Sequence, residues 1–408
     1  MAAAARHPDE IRALSALAFA QLRDATAAIG SLHGAIADRS FGASGPVGTG
    51  PRAIHDAVAN GVYATVRAGF GVAGAGVDGL LALREPGDGR PVSASPRGAA
   101  ALAALTGLIG DRLEAEQSDL QEPTAVRVGG RVVACDPDSL RHAFPTATPR
   151  IAVFLHGLME TELAWRPSLA DGYGARLRRD AAITPVFVRF NTGLHISDNG
   201  RSLARLLDAL VAGWPLPVRT IALVGHSMGG LVARSACHYG AQEGAAWAPR
   251  VRHIVSLGSP HLGAPIAQAV HVASAALHAV PETRPLSGLL RRRSAGIRDL
   301  RHGSLVDEDW LDADPDALRG RAVTEVPLHP TATHCFVAAT VTRSARHPLG
   351  RLVGDLLVLE HSASGCGRRR RIGFDPDDGL HVGGAHHFAL LCHPAVYAQL
   401  RAWLTRDG

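Results

Sequence analysis

The chain has 408 residues, 46% hydrophobic and 19% charged, with a mean hydropathy of +0.07; this excludes a disordered or fibrous chain and, at about 150 residues per domain, allows two or three domains or one large one with additions. Five cysteines without a Cys-x-x-Cys pair argue against a disulfide framework and a thiolate zinc site and suit a reducing compartment, while 5% aromatics leave no stacking platform for bases. The net charge of +5 and pI of about 9.3 come from arginine alone, since the chain has no lysine; the runs Arg291–Arg293 and Arg368–Arg371 read as solvated loops, without the aromatic interleaving of a nucleic-acid surface.

In chain order, the start MAAAARHPDEIRAL places Asp9 and Glu10 where an export signal needs an uncharged apolar run. The longest apolar stretch, 98–110, is too short to span a bilayer. A soluble cytoplasmic protein is expected. Ile11, Leu14, Ala18, Leu22, Ala25, Ile29, Leu32 and Ile36 recur at spacings of three and four, the pattern of an amphipathic helix. A Gly/Ser/Pro segment at 41–51 breaks it. A second helix is expected over about 52–68, degrading into GFGVAGAGVDG, and a third over 99–116. Residues 1–122 thus read as a helical extension that docks on the main domain, on another chain or on a lipid surface. Within it, Gly74 to Gly79 match Gly-x-Gly-x-x-Gly, but no strand precedes them and no acidic residue follows at the distance a ribose needs, so no nucleotide cofactor is expected.

From residue 124 the texture changes. TAVRVGGRVVAC alternates around Gly129-Gly130 as a hairpin would, and short apolar runs follow at 151–155, 185–190, 220–224, 253–257 and 335–341. Helical patterns, notably 200–212 and 228–238, lie between them. Short, mainly apolar runs look like strands buried on both faces, and their alternation with helices predicts a mostly parallel sheet with helices on both sides, an α/β class fold over 123–408. Ligands in such sheets bind at the carboxyl ends of strands.

Chemistry gathers at those ends. The strand 151–155 runs into His156-Gly157, where glycine permits close backbone approach and the Leu158 N–H can face an oxyanion; His156 reads as a brace for the turn. The strand 220–224 runs into Gly225-His226-Ser227-Met228-Gly229-Gly230 and then directly into a helix. Strand, small-residue turn and helix make a nucleophile elbow, with Ser227 exposed above the sheet and the Met228 N–H at the helix N-terminus as a second oxyanion donor. Serine needs a base to take its proton, and a carboxylate between the two in chain order to orient that base. Asp355 follows the strand 335–341 and is the expected acid, with Asp375, Asp377 and Asp378 as alternatives nearer the histidines. The glycine-rich turn GGAHHFALLCHP delivers His386 and His387 just before a helix, either of which suits the base, and His393 reads as the start of that helix. A metal cluster of His386, His387, Cys392 and His393, or calcium on the Asp375 to Asp378 loop, lacks a second ligand group, so no metal is expected.

Together these residues resemble the serine α/β-hydrolase superfamily, and within it bacterial lipase- and esterase-like members, including the GPI-inositol-deacylase-like group. The resemblance covers about 124–408. It rests on GHSMGG, on HG, on GSPHLGAP at 258–265, and on a C-terminal histidine standing before an apolar stretch, a proline and a helix. That register selects His387 as the base. The resemblance implies an ester or lipid substrate, a Ser227-His387-Asp355 triad with Leu158 and Met228 N–H groups as the oxyanion hole, no cofactor, and a cap or lid from the insertion at about 263–328. An acyltransferase using the same triad, or a hydrolase-fold scaffold whose helices bind a partner or membrane, are the rival readings.

Overall fold

The structure is a computed structural model describing residues 10–20, 23–24, 26–27, 49–82, 93, 95–166, 171–264, 293–311, 323–344, 347–368 and 370–406. Its strands are β1 (Ala125–Val128), β2 (Arg131–Val133), β3 (Arg150–Leu155), β4 (Thr184–Arg189), β5 (Thr220–His226), β6 (Val251–Leu257), β7 (Thr333–Thr340) and β8 (Gly379–Gly383), joined in one sheet in the order β2-β1-β4-β3-β5-β6-β7-β8. The β1–β2 hairpin turns on Gly129 and Gly130, both at positive φ (60° and 81°), as the tight turn between twisted strands requires. β1 runs antiparallel to β4, and every pairing from β4 to β8 is parallel. This is the α/β-hydrolase arrangement. β8 escapes an apolar-run search because, of GLHVG, only Val382 is buried.

Side chains alternate across a strand, so each central strand supplies both faces of the sheet. Ile151, Val153, Leu155, Ile221 and Leu223 face one core with Leu203, Leu207 and Leu231. Ala152, Phe154, Ala222, Val224 and Val255 face the other with Leu177, Leu400 and Trp403. The helices involved are taken in chain order with the rest: α1 (10–20), α2 (Thr49–Ala82), α3 (Pro96–Ala115), α4 (Pro137–Ala143), α5 (Tyr173–Ala181), α6 (Ile196–Gly213), α7 (Met228–Gln242), α8 (Ala295–Leu300), α9 (Pro348–Val353), α10 (Glu360–Ala363) and α11 (Pro394–Leu404). Leu203 and Leu207 come from α6 and Leu231 from α7; Leu177 comes from α5, and Leu400 and Trp403 from α11. Among the described residues no helix is long and apolar enough to cross a membrane.

Two compact units divide the chain: residues 1–92, 117–120 and 270–292 form one, and residues 93–116, 121–269 and 293–408 the other. In the smaller unit α2 continues for 34 residues, through the GFGVAGAGVDG segment where the sequence suggested decay. Each helical glycine costs about 1 kcal/mol relative to alanine, but Gly74 sits where a Cβ would come within 3.1 Å of Phe19, so its smallness lets α1 approach. The Gly74 to Gly79 pattern therefore lies inside a helix. Arg12 holds the Asp78 carboxylate with two guanidinium nitrogens, one at 2.7 Å. Of the expected helix through Ile36, Leu22, Ala25, Ile29, Leu32 and Ile36 fall outside the described residues.

The division differs from a single cut after residue 122, because α3 groups with the sheet-bearing unit. Its Ala99, Ala103, Gly107 and Gly110 are buried. Ser294 Oγ donates to the Gly107 carbonyl (2.6 Å) and Asn191 Nδ2 to the Gly110 carbonyl (3.0 Å). Within the insertion expected as a lid, residues 265–292 and 312–322 lie outside the described residues; the rest contains α8.

Candidate active site

β5 delivers the chain to Ser227, whose backbone sits at φ 52° and ψ −119° before α7 starts at Met228. A non-glycine residue held there is strained, and the surroundings must over-determine it. They do so by close approach: a Cβ on Gly225 would lie 2.3 Å from Gly229 C, and a Cβ on Gly229 would lie 2.4 Å from the Leu155 carbonyl oxygen. The Ser227 N–H is pinned to the Leu257 carbonyl at the end of β6 (2.8 Å). The two flanking glycines thus let α7 press against both its own strand and β3.

At the end of β3 the chain turns through His156-Gly157. A Cβ on Gly157 would stand 3.0 Å from Ser227 Cβ, which places this turn directly over the elbow. Among the described residues the N–H groups of Leu158 and Met228 have no protein acceptor, whereas the Gly157 N–H donates to Glu160 Oε2 (2.7 Å). His156 is fully buried and stacked on Phe190, with ring centroids 4.3 Å apart. Its Nε2 accepts from the Phe190 N–H (3.2 Å), which puts its proton on Nδ1, donated to the Gly157 carbonyl (2.9 Å). Burial pulls its pKa down to about 4, so it stays neutral and braces the turn. Farther on, buried Arg189 grips Glu162 through two bonds (2.6 and 2.8 Å) and Glu122 through a third (2.8 Å), anchoring the loop to β4.

Asp355 and His387, 32 residues apart, meet in the interior. His387 Nδ1 lies 2.7 Å from Asp355 Oδ2, with both side chains almost fully buried. The other carboxylate oxygen accepts the N–H groups of Leu357 (3.0 Å) and Val358 (2.8 Å), and the His387 N–H donates to the Asp355 carbonyl (3.0 Å). With a carboxylate on Nδ1 the proton resides there, leaving Nε2 bare. Burial, opposed by the Asp355 bond, leaves the His387 pKa below its ordinary value, so the ring is neutral at neutral pH. A Cβ on Gly258, just after β6, would touch His387 Cε1 at 3.1 Å, so the ring sits over the strand next to the elbow.

The span between β7 and Asp355 is built rather than loose: the Val341 N–H bonds the Gly354 carbonyl (2.9 Å), so α9 folds out and brings Asp355 back to the strand end. Of the alternative acids Asp377 is exposed, and the other two are engaged elsewhere. Asp375 caps its own turn at the Asp377 N–H (3.0 Å) and Asp378 pairs with Arg406 (2.7 Å). His386 is exposed, and His393 caps α11 at the Ala395 N–H (3.2 Å). Among the described residues no group of three His, Cys, Asp or Glu is placed to hold a metal ion.

One pair escaped the sequence reading. Glu160 Oε2 lies 3.0 Å from His226 Nδ1, and His226 Nε2 lies 3.4 Å from the His387 carbonyl oxygen. Two acceptors flank this ring, so its charged form is favoured: burial works against it, but Glu160 wins and the His226 pKa is raised. For Glu160 burial is again the largest influence, and His226 outweighs it to hold the carboxyl below its usual range. Nothing in the sequence around Glu160 marks it, and only the folded chain puts it against the elbow.

The family model of the PGAP1-like alpha/beta domain matches residues 203–310. That segment contains the elbow, while Asp355 and His387 lie beyond it. Among solved structures, the chain is similar to the mature form of the Bacillus licheniformis lipase BlEst2 (21% identity, TM-score 0.41, covering 64% of this chain and 93% of that one). It is also similar to EstA from Clostridium botulinum (12%, 0.38, 64% and 88%) and to Staphylococcus hyicus lipase (15%, 0.35, 64% and 93%). No curated protein sequence matches it.

Proposed function

We propose that the chain is a serine hydrolase of carboxylic esters, acting through Ser227, His387 and Asp355. The observation that carries the reading is the buried His387–Asp355 bond of 2.7 Å, set over the strand adjoining a serine held at φ 52°. In this scheme His387 Nε2 takes the Ser227 hydroxyl proton as Oγ attacks the acyl carbon, and the Leu158 and Met228 N–H groups receive the oxyanion. Collapse of the tetrahedral intermediate expels the alcohol, which leaves with the proton from His387. Water then repeats the sequence on the acyl-serine and releases the acid.

Hydrolysis of a p-nitrophenyl ester series from short to long acyl chains, beside Ser227→Ala, tests this. Wild type should turn over and Ser227→Ala should fall by at least about a thousandfold, as loss of a triad nucleophile does. A variant within tenfold of wild type refutes the assignment. Rates rising toward long chains identify a lipase and support a lid over the acyl site; a preference for short chains identifies an esterase of small esters. Product analysis with added alcohol separates hydrolysis from acyl transfer.

A further inference from the structure

Behind the elbow, along the last turns of α7, the sheet-bearing unit carries a half-open cavity of about 300 Å³ between that helix and the segment leading into β7. At 1.5 Å per residue, Cys237 and Ala241 on its wall stand about 14 to 20 Å along α7 from Met228, so the cavity is distinct from the proposed catalytic site. Its walls are largely apolar, with Cys237, Leu328 and Pro330 contributing. Burial pushes the Cys237 thiol up to about 12, so it serves as an apolar surface rather than a nucleophile.

Two cavity-lining groups are polar, buried and incompletely partnered. Arg234 is 3% exposed, has no carboxylate partner, and makes only two hydrogen bonds among the described residues: to His261 Nδ1 at 3.4 Å and to the Val326 carbonyl at 3.1 Å. A guanidinium carries five N–H donors, and a buried cation is ordinarily paired. His334 is 8% exposed; its Nε2 accepts the His329 N–H (2.9 Å), which leaves the proton on Nδ1, and Nδ1 has no partner. Arg370 adds positive charge nearby, balanced in part by Asp309 and Glu325, which act on Arg370 and not on Arg234. Burial, and next the Arg370 charge, draw the Arg234 pKa down to about 9, so it remains a cation at neutral pH.

We propose that this cavity binds a small aliphatic carboxylate, its head group on Arg234 and its tail against Cys237, Leu328 and Pro330. A planar guanidinium matches a carboxylate with two parallel bonds, and a buried cation held by His261, Val326 and the Phe374 ring (5.7 Å) but by no carboxylate gains from an anion that brings no solvent with it. The volume lies at the lower bound of small-molecule pockets and suits a chain of medium length. Phosphate shares the anionic head but has no tail to fill the apolar walls. The inference is independent of the triad, because it needs only binding.

Isothermal titration calorimetry with sodium octanoate, acetate and inorganic phosphate tests it on the full chain. Octanoate should bind saturably and at least tenfold more tightly than acetate or phosphate, and Arg234→Met should weaken it tenfold or more. Ala241→Phe, at an exposed wall position, should block the cavity without touching the buried charge, and carries the test if Arg234→Met does not fold. Absence of saturable octanoate binding overturns the proposal. So does binding that neither substitution affects, which would place octanoate elsewhere, including an acyl site near Ser227. Phosphate binding as tight as octanoate overturns the carboxylate assignment.

Discussion

Asp355→Asn isolates the orienting role proposed for Asp355 because it preserves shape. In the native site Oδ1 accepts two backbone N–H groups (3.0 and 2.8 Å) and Oδ2 accepts the His387 Nδ1–H (2.7 Å). An asparagine keeping its oxygen on Leu357 and Val358 presents an NH₂ group to His387, so Nδ1 becomes an acceptor and the ring proton moves to Nε2, where no base remains. Restoring the productive tautomer requires flipping the amide, which sets NH₂ against two buried N–H donors at about 1–3 kcal/mol each. It also forfeits the charged character of the bond to His387, worth about 1–2 kcal/mol more. The sum, about 3–8 kcal/mol, corresponds to about two to six decades in rate at 1.36 kcal/mol per decade. The assay is kcat/KM on a p-nitrophenyl ester, with circular dichroism to show that the variant folds. Whatever activity remains should lose its protonated-His387 limb at a lower pH than in wild type, because Asp355 is the main group raising the His387 pKa against burial. A folded variant retaining a tenth or more of the wild-type rate would refute the tautomer argument and with it Asp355 as the acid.

Three further predictions rest on other contacts. Gly229→Ala puts a Cβ 2.4 Å from the Leu155 carbonyl and should cost about 1–3 kcal/mol by overpacking; esterase rate should fall more than urea stability indicates, since the elbow must back away from the oxyanion turn. Glu160→Gln strands the buried His226 and should cost about 3–5 kcal/mol. His226 has a raised pKa in the fold, so its share of stability is complete below the unfolded value of about 6.5 and is lost as pH rises through the folded value; Glu160, lowered, gives stability above about 4.3 that is lost as pH falls. The buried histidines with lowered pKa, His156, His334 and His387, give the opposite slope below about pH 6.5 in both proteins, so the readout is the difference in urea midpoint between wild type and Glu160→Gln, which should shrink as pH rises from about 6.5 to 9. Gly110→Ala drives a Cβ to 2.0 Å from Asn191 Oδ1 and should destabilise by about 1–3 kcal/mol, whereas Gly76→Ala on α2, with nothing within 4 Å, should stabilise its helix by about 1 kcal/mol.

The sheet announced itself because a strand roofed on both faces has to be apolar at each position, as Ile151 to Leu155 and Ile221 to Val224 are. Ser227 was visible for a related reason: an elbow needs small residues where its helix meets its strand, and Gly225 and Gly229 show the sub-3 Å approaches that exclude any side chain. Asp355 and His387 were harder, since nothing local distinguishes one aspartate or one histidine of 21. The choice of His387 over exposed His386 rested on register against a family pattern. Glu160 had no signal at all, because its partner is 66 residues away and its neighbours read as a turn.

α3 shows a different kind of opacity. Besides Leu102 and Leu113, α3 buries Ala99, Ala103, Gly107 and Gly110, a small-residue face that packs through backbone proximity and whose composition looks merely bland. Those residues nonetheless reach the loops that carry the proposed chemistry. A Cβ on Gly107 would meet Met159 Cγ at 2.4 Å, one residue beyond Leu158, and Asn191 bridges the Gly110 carbonyl and the Gly193 N–H (3.0 Å each). Met159 itself is held at φ 59° with its N–H on Thr192 Oγ1 (3.2 Å). The turn proposed to hold the oxyanion is therefore backed by a helix lying before the first strand of the sheet, and small residues in α3 act on the position of the Leu158 N–H through that contact.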